Sequence, residues 1–448
     1  MNNNLCIIGR WGNMGRNTIY NGFDLPYEHV YSISSSEKYN KTNKDYSYEN
    51  FFKERKSNIL EWQNKKNSEI DVQYILPFYP LEGEWGNSRL LQNNISESVF
   101  VESKSNLKFI LENSRVDKSH QTTNYNDFSK LSFDSISKKL GVPFVVQIYS
   151  RGGRGTFLIE NQSEFENIDK STIHRITKFE RGIVMNICVV TLSTDECECR
   201  VFVEYPSFKP MGISKLNGLR FSSKGNEWGT IDFKNMNELC SDIVSIGKYI
   251  YKEHGIKGAW GVDIIYNEET GDYVILEINP RLQGTHEVSS INQINRDFPT
   301  FFLLHCFAFN IENLKNSEYY NLSDLKYNEE TVSMGKSYPL QSLYYIKIKS
   351  DQTFIFNPSN EFKGDGIYSI ANDRLIFDKT CLNTKEANLA KNQILICNSP
   401  NVGVKVEANM DICMVEGVKD KAIKIFENDT QLSLIGEKIV DLVNKLLI

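Results

Sequence analysis

The chain has 448 residues, 40% of them hydrophobic and 24% charged, with a net charge of −6 and a pI near 5.7. That length gives room for roughly two to four packed domains, and the balance excludes a disordered chain. No Lys/Arg block forms a nucleic-acid footprint, and no apolar run reaches membrane-spanning length, so neither partner is expected.

The N-terminus, MNNNLCIIGRWGNMG, lacks the basic and long apolar regions of a secretory signal, so a cytoplasmic protein is expected. The nine cysteines are scattered; only Cys197 and Cys199 lie close together, and without a second pair they make no zinc site. They read as reduced structural residues.

In chain order, LCIIG (5–9), HVYSIS (29–34) and VQYILPFY (72–79) read as strands, with an amphipathic helix at 48–63. Strands alternating with helices predict an α/β domain over 1–103. Gly9, Gly12 and Gly15 follow the first strand, but their G-x-x-G-x-x-G spacing departs from the dinucleotide fingerprint, so no cofactor is expected there. Residues 104–140 read as helical. Strands follow at PFVVQIYS (143–150), TFLIEN (156–161), HRITKFERG (174–182), IVMNICVVTL (183–192) and CRVFVEYPSF (199–208), with a short helix at SEFENI. A helix is predicted over 235–254. AWGVDIIY (259–266) and YVILEIN (273–279) then form a hairpin. FPTFFLLHCFAFN (298–310) is an apolar helix, and 312–330 is a polar linker candidate. The remainder returns to strands and closes on the amphipathic helix LIGEKIVDLVNKLL.

Two places carry chemistry. Side chains alternate faces along a strand, so Glu277 and Asn279 share one face of the hairpin. The expected register sets Tyr266 opposite Val274 and Asp263 opposite Glu277. Two carboxylates and an amide then meet, the oxygen set a hard cation such as magnesium takes, with Arg281 able to reach an anion beside it. Glu277 alone would read as a solvated strand end; the set of four reads as a site. The second place is the turn in VVQIYSRGGRGTFLI. Gly152, Gly153 and Gly155 let the backbone approach a phosphate, Arg151 and Arg154 add positive charge, and Thr156 adds a hydroxyl. Alone, this also reads as an ordinary flexible turn, and it is not a Walker loop. Lys209, Lys215 and Arg220, in YPSFKPMGISKLNGLRF (205–221), are candidates for binding a substrate carboxylate. A solvated basic loop explains each of them equally well. His286 and Glu287 are placed to orient an amine or take its proton, with a plain structural role as the alternative.

PFVVQIYSRGGRGTFLI, ITKFERG and GVDIIYNEETGDYVILEINPRLQG, taken together, resemble the ATP-grasp superfamily over residues 104–310. The specific part is D-x13-E-I-N-P-R. The resemblance implies an α/β (α+β) ATP-grasp fold: a pre-ATP-grasp domain at 1–103, the grasp domain at 104–311 with a glycine lid at 150–156 and a metal hairpin at 259–281, and a strand-rich C-terminal domain at 312–448. It implies ATP with two magnesium ions, manganese being an alternative, held by Asp263, Glu277 and Asn279. Arg281 would face the reacting carboxylate or phosphate, and Lys178, Phe179 and Glu180 would form the adenine hinge. One departure stands out. The family often carries lysine before the glycine loop, and here that position is Gln147, which hydrogen-bonds but does not neutralise a phosphate. Arg151 or Arg154 is the expected substitute.

The implied activity is activation of a small-molecule carboxylate as an acyl phosphate, then amide formation with an amine and release of ADP and phosphate. Alternatives are transfer to a carrier-protein thiol, a peptide acceptor, biotin-carboxylase-like carboxylation, phosphoryl transfer to a hydroxyl, or a non-catalytic ATP-binding regulator. Homodimers are common among such ligases.

Overall fold

The structure is a computed structural model. It describes residues 4–9, 29–34, 73–119 apart from 78, 79, 84, 86 and 87, 122–123, 131–148, 155–193, 198–334 apart from 217, and 340–448 apart from 401, 404, 407, 409 and 410.

The N-terminal strands β1 (Asn4–Gly9), β2 (His29–Ser34), β3 (Tyr74–Pro77) and β4 (Arg89–Leu90) form a parallel sheet in the order β2-β1-β3-β4. Parallel pairing of this kind needs crossover connections between the strands. The helix expected at 48–63 lies outside the described residues. Helix α1 (Ile95–Glu102) starts at Asn94, whose side chain accepts the Ser96 and Glu97 N–H groups, and α2 (Leu107–Asn113) follows.

A small antiparallel sheet comes next, built of β5 (Thr122–Thr123), β6 (Phe144–Ile148), β7 (Thr156–Ile159) and β8 (Ile173–Lys178) in the order β5-β8-β6-β7. Helices α3 (Phe133–Leu140) and α4 (Gln162–Glu166) cover one face. Phe144, Val146, Ile159, Phe165, Ile173 and Ile176 make its core.

The large sheet begins with β9 (Ile183–Ser193), β10 (Cys199–Val203), β11 (Ser207–Phe208) and β12 (Gly225–Glu227). It continues through β13 (Gly258–Tyr266) and β14 (Tyr273–Asn279). Helix α5 (Met236–His254) ends on Gly255, which adopts the left-handed conformation. It covers the face to which Met185, Ile187, Val189, Trp260, Val262 and Ile264 point. On the opposite face, Cys188, Val190, Leu192 and Ala259 meet α7 (Phe301–Phe309), which follows α6 (Gly284–Asn295).

The polar segment at 312–330 is not an extended linker. It overlaps α8 (Ile311–Lys315) and continues into α9 (Asp324–Val332), which packs on β10. Its polar groups are used structurally: the Asp324 and Asn328 side chains accept the Val201 and Val203 N–H groups along that strand edge. The Tyr327 hydroxyl donates to buried Glu204, which is also paired with Arg296.

The C-terminal strands β15 (Leu343–Lys349), β17 (Gly366–Ala371), β18 (Arg374–Lys379), β19 (Gln393–Cys397) and β21 (Asp411–Val418) extend the same sheet through the β12–β15 pairing. Two short strands, β16 (Phe354–Ile355) and β20 (Lys405–Val406), pair separately. The result is an 11-stranded sheet, β14-β13-β9-β11-β12-β15-β21-β19-β17-β18, with β10 on β9. The closing helix α10 (Leu434–Leu447) buries its apolar stripe against this C-terminal part. Among the described residues, Cys188, Cys199, Cys240, Cys306, Cys381, Cys397 and Cys413 are in no disulfide, and no helix is long and apolar enough to cross a membrane.

Candidate active site

The β13–β14 hairpin pairs Asp263 with Glu277 and Gly261 with Asn279, the register expected at this end. At the turn end Tyr266 faces Tyr273, not Val274, because Leu276 is an extra residue opposite the Asp263–Ile264 step. This bulge decides which way the carboxylate points. Tyr273, Ile275 and Ile278 all enter the core under α5, so the alternation changes parity between 275 and 278. Strict alternation from Tyr273 would send Glu277 and Asn279 into that core. The bulge turns them to the opposite face, beside Asp263.

Asp263 is wholly buried, pairs with Lys209 Nζ and accepts from Asn186 Nδ2 at 2.7 Å. Glu277 pairs with Lys104 Nζ at 3.1 Å, and Asn279 Nδ2 donates to Glu277 Oε1 at 3.4 Å. Arg281 Nη2 donates to Asn279 Oδ1 at 3.2 Å and to Glu102 Oε1 at 3.2 Å. Burial pushes Asp263 up to about 6; Lys209 pulls it down and Glu277 pushes it up again. Burial would raise Glu277 too, but Lys104, the hydrogen bond with Asp263 and Lys209 together hold it well below the usual carboxylate range. Burial works against a charged Lys209, and Asp263 and Glu277 overcome it and raise the ammonium. Among the described residues no group of three His, Cys, Asp or Glu could hold a metal. Two carboxylates and an amide oxygen on one face still fit magnesium, which takes few protein ligands and completes its shell with water and phosphate oxygens.

Behind Asp263, Asn186 Nδ2 also donates to Gln283 Oε1 at 2.9 Å, and Asn186 Oδ1 accepts from Thr285 at 2.8 Å. Gly261 makes room for this network: a Cβ there would lie 2.1 Å from Gln283 Oε1. His286 is turned inward, away from solvent. It is buried in the first turn of α6, where Nδ1 accepts the Gln283 N–H at 3.1 Å and Nε2 lies 3.1 Å from the Trp260 carbonyl. That pattern is the neutral ring protonated on Nε2, with both nitrogens engaged by backbone, and burial lowers the ring to about 4. Glu287 is buried on the same helix.

On the small sheet, β6 pairs Gln147 with Thr156 of β7 and with Arg175 of β8. Gln147 Nε2 donates to Thr156 Oγ1 at 3.3 Å. A second register shift falls here, since Ile148 pairs with Ile173 and His174 is left over. It sends both Ile173 and Ile176 to the core. Arg175 stays with Gln147 on the face away from that core. It is 5% exposed, and its Nε and Nη1 have no hydrogen-bond partner among the described residues.

Gly155 lies beside Thr156, whereas Arg151, Gly152, Gly153 and Arg154 lie outside the described residues. Lys178 ends β8, and Phe179 and Glu180 open the connection to β9, with Lys178 Nζ 3.6 Å from Glu180 Oε2. Gly182 closes that connection at φ 149°, where a Cβ would lie 2.5 Å from the Tyr266 carbonyl oxygen.

The fold thus brings together Asp263, Glu277, Asn279 and Arg281, and separately Gln147, Thr156 and Arg175. Lys215 does not join them: its Nζ is bound to Asp441 on α10 at 2.9 Å. Arg220 is exposed, its guanidinium 5.9 Å from the Phe221 ring centre. Of the three basic candidates in that loop, Lys209 is the one at the carboxylates. Lys104, Asn186 and Arg175 were not singled out from the sequence. Only Asn186 left a signal, as a polar residue interrupting an apolar strand.

Residues 147–285 match the ATP-grasp domain family. No curated protein matches the chain. Among solved structures, the Campylobacter jejuni biotin carboxylase–β,γ-ATP complex is 12% identical, with 93% of this chain and 88% of that chain covered, at a TM-score of 0.55. The biotin carboxylase domain dimer of Hydrogenobacter thermophilus 2-oxoglutarate carboxylase, in complex with MgADP, ADP and bicarbonate, is 11% identical, covering 92% and 86%, at 0.54. Carboxyaminoimidazole ribonucleotide synthase from Aspergillus clavatus, complexed with ATP, is 13% identical, covering 99% and 98%, at 0.51. At these identities the likeness establishes the fold. With the domain match and the D-x13-E-I-N-P-R hairpin, residues 147–285 form an ATP-grasp domain, and the chain shares the fold of these ATP-grasp structures.

Proposed function

We propose that the chain is an ADP-forming ligase that activates a carboxylate with ATP and joins it to an amine. The observation that carries this reading is the meeting of Asp263, Glu277, Asn279 and Arg281 on one sheet face, with lysines closing on both carboxylates.

Asp263, Glu277 and Asn279 would hold magnesium, two ions in the family pattern, and the metal when bound offsets phosphate charge and makes the terminal phosphorus more electrophilic. Lys209 keeps Asp263 ionised in a buried place. In this reading Lys178, Phe179 and Glu180 line the adenine end, and water must be kept from the acyl phosphate. Arg281 orients the substrate carboxylate, whose oxygen attacks the γ-phosphorus as the bond to ADP breaks. The amine then attacks the acyl carbon of the acyl phosphate, phosphate departs with the bonding pair, and the amine loses a proton. The fully engaged ring of His286 takes no part in that transfer. Arg220, exposed on its loop, remains a candidate for a second substrate carboxylate.

A second reading has bicarbonate as the activated carboxylate. Its support is the fold shared with biotin carboxylase and carboxyaminoimidazole ribonucleotide synthase. The test is ADP and phosphate release with ATP and magnesium against amino acids singly and in pairs, then with bicarbonate. Release that needs a particular pair supports the ligase, and release that needs bicarbonate supports the carboxylase. No release with any of them, beside intact ATP binding, turns the reading to a carrier-protein acceptor or a non-catalytic regulator. A homodimer is the assembly to test first by light scattering.

A further inference from the structure

We propose that Arg175 is the phosphate-binding cation of the nucleotide site, supplying from β8 the positive charge that Gln147 does not supply from β6. This rests on the ATP-using reading above and deepens it: the ligand group is the polyphosphate of a nucleoside di- or triphosphate.

Three observations converge on Arg175. The first is its position. It is the cross-strand neighbour of Gln147, and Gln147 bonds Thr156 on the next strand. The three residues therefore line one face of the small sheet, at the end where the glycine turn joins β6 to β7. The register shift at His174 keeps the arginine there, because regular alternation from Ile173 would have turned Arg175 into the core.

The second is its unmet hydrogen-bonding capacity. A guanidinium carries five N–H donors in a fixed fork. Here two of its nitrogens are buried with no partner among the described residues. Folded chains seldom leave such groups unsatisfied, since an unpaired buried charge is among the most costly features a core can hold. The same fork matches a phosphate bidentately.

The third is its surroundings. Burial lowers the guanidinium to about 10, partly offset by the Glu277 carboxylate, so it is still charged at neutral pH. Glu277 belongs to the β13–β14 hairpin, and its charge acts on the guanidinium. Yet Glu277 is already paired with Lys104, and Arg175 forms no ion pair among the described residues. An anion lying between Arg175 and a magnesium ion on Glu277 would satisfy both. Arg175 is fixed in a ladder, opposite Gln147.

The experiment measures equilibrium binding of ATP, ADP and adenosine by calorimetry, for the wild-type chain, Arg175→Gln, and Arg175→Gln combined with Gln147→Lys. Loss of one charge-assisted contact should weaken ATP and ADP by about tenfold or more and leave adenosine unchanged. Restored ADP affinity in the double variant puts the missing charge at the Gln147 subsite. Unchanged ADP binding in Arg175→Gln overturns the inference and leaves the ATP reading standing. Equal weakening of ADP and adenosine also overturns it, as a structural effect. A wild-type chain that binds no ATP overturns both.

Discussion

Replacing Lys209 with methionine removes the ammonium from Asp263 and keeps most of the stem. Burial already holds Asp263 up at about 6 with that lysine in place. An opposite charge at such range moves a carboxyl by roughly one to three pKa units, so its loss carries Asp263 to roughly 7–9. At pH 7 the ionised fraction then falls from about nine-tenths to between about a half and a hundredth. A proton and a metal ion compete for the same carboxylate, so metal affinity is present above the folded pKa and lost as pH falls through it. The folded pKa lies above the unfolded one, so charging Asp263 costs stability, and that cost is complete only above the folded value. The assay is the apparent magnesium constant in the presence of ADP, followed from about pH 5.5 to 9.5. The wild type should lose affinity below about pH 6 and the variant below roughly 7–9. At the alkaline end the variant should bind magnesium at least as well as the wild type, because a like charge has left the site. Uniform weakening in the variant, with the acid limb where the wild type has it, refutes the idea that Lys209 works through Asp263.

Glu277→Gln should abolish ATP-driven ADP release while the melting temperature stays within a few degrees of wild type; full turnover in this variant removes the metal assignment. His286→Gln should cost about 1–3 kcal/mol in urea unfolding at pH 7 by disturbing the cap of α6, without moving the pH profile of turnover between about 6 and 8. The His286 ring sits at about 4 in the fold, below its unfolded value. Its contribution is thus present above about pH 6.5 and lost towards about 4, at about 1.4 kcal/mol per pH unit, a slope the variant should lack. Lys419→Met should cost about 3–5 kcal/mol, because it strands the Glu227 carboxylate in the core. Lys419 and Glu227 are both wholly buried and 2.9 Å apart. Glu227 also accepts the Ile425 and Phe426 N–H groups, so the loss should appear in thermal melting as loosening of the C-terminal strands.

The strands and the long helices were legible because their apolar runs are long and bounded. The Asp263–Glu277 pairing was legible, although the extra residue Leu276 beside it shifts the turn end of the hairpin by one. What the sequence hid is one-residue irregularity. Leu276 and His174 look like ordinary strand residues, yet each resets which neighbours face the site, and a period-two reading carries no mark of a bulge. The polar segment at 312–330 misled for a different reason. Its Asp324, Asn328 and Tyr327 complete a strand edge and a buried glutamate, and a partner so distant in sequence gives no local signal. His286 misled by adjacency: closeness to the metal strand in sequence said nothing about a ring that turns inward to cap its own helix.

The two lysines on the carboxylates follow from the same electrostatics. A site built to hold a dication must keep Asp263 and Glu277 ionised and close together when no cation is present. Burial and mutual repulsion both oppose that, and an uncompensated pair would take up protons instead. Lys209 and Lys104 answer the problem from outside the hairpin, one from the loop after β11 and one from the turn between α1 and α2. Their flexible stems let each ammonium move aside when a metal arrives, which a rigid, five-donor guanidinium does less readily. In this reading the hairpin would supply the ligands and distant loops the movable counterions. Arg175, fixed in a strand and in no ion pair among the described residues, would then be the cation left to meet a ligand's negative charge.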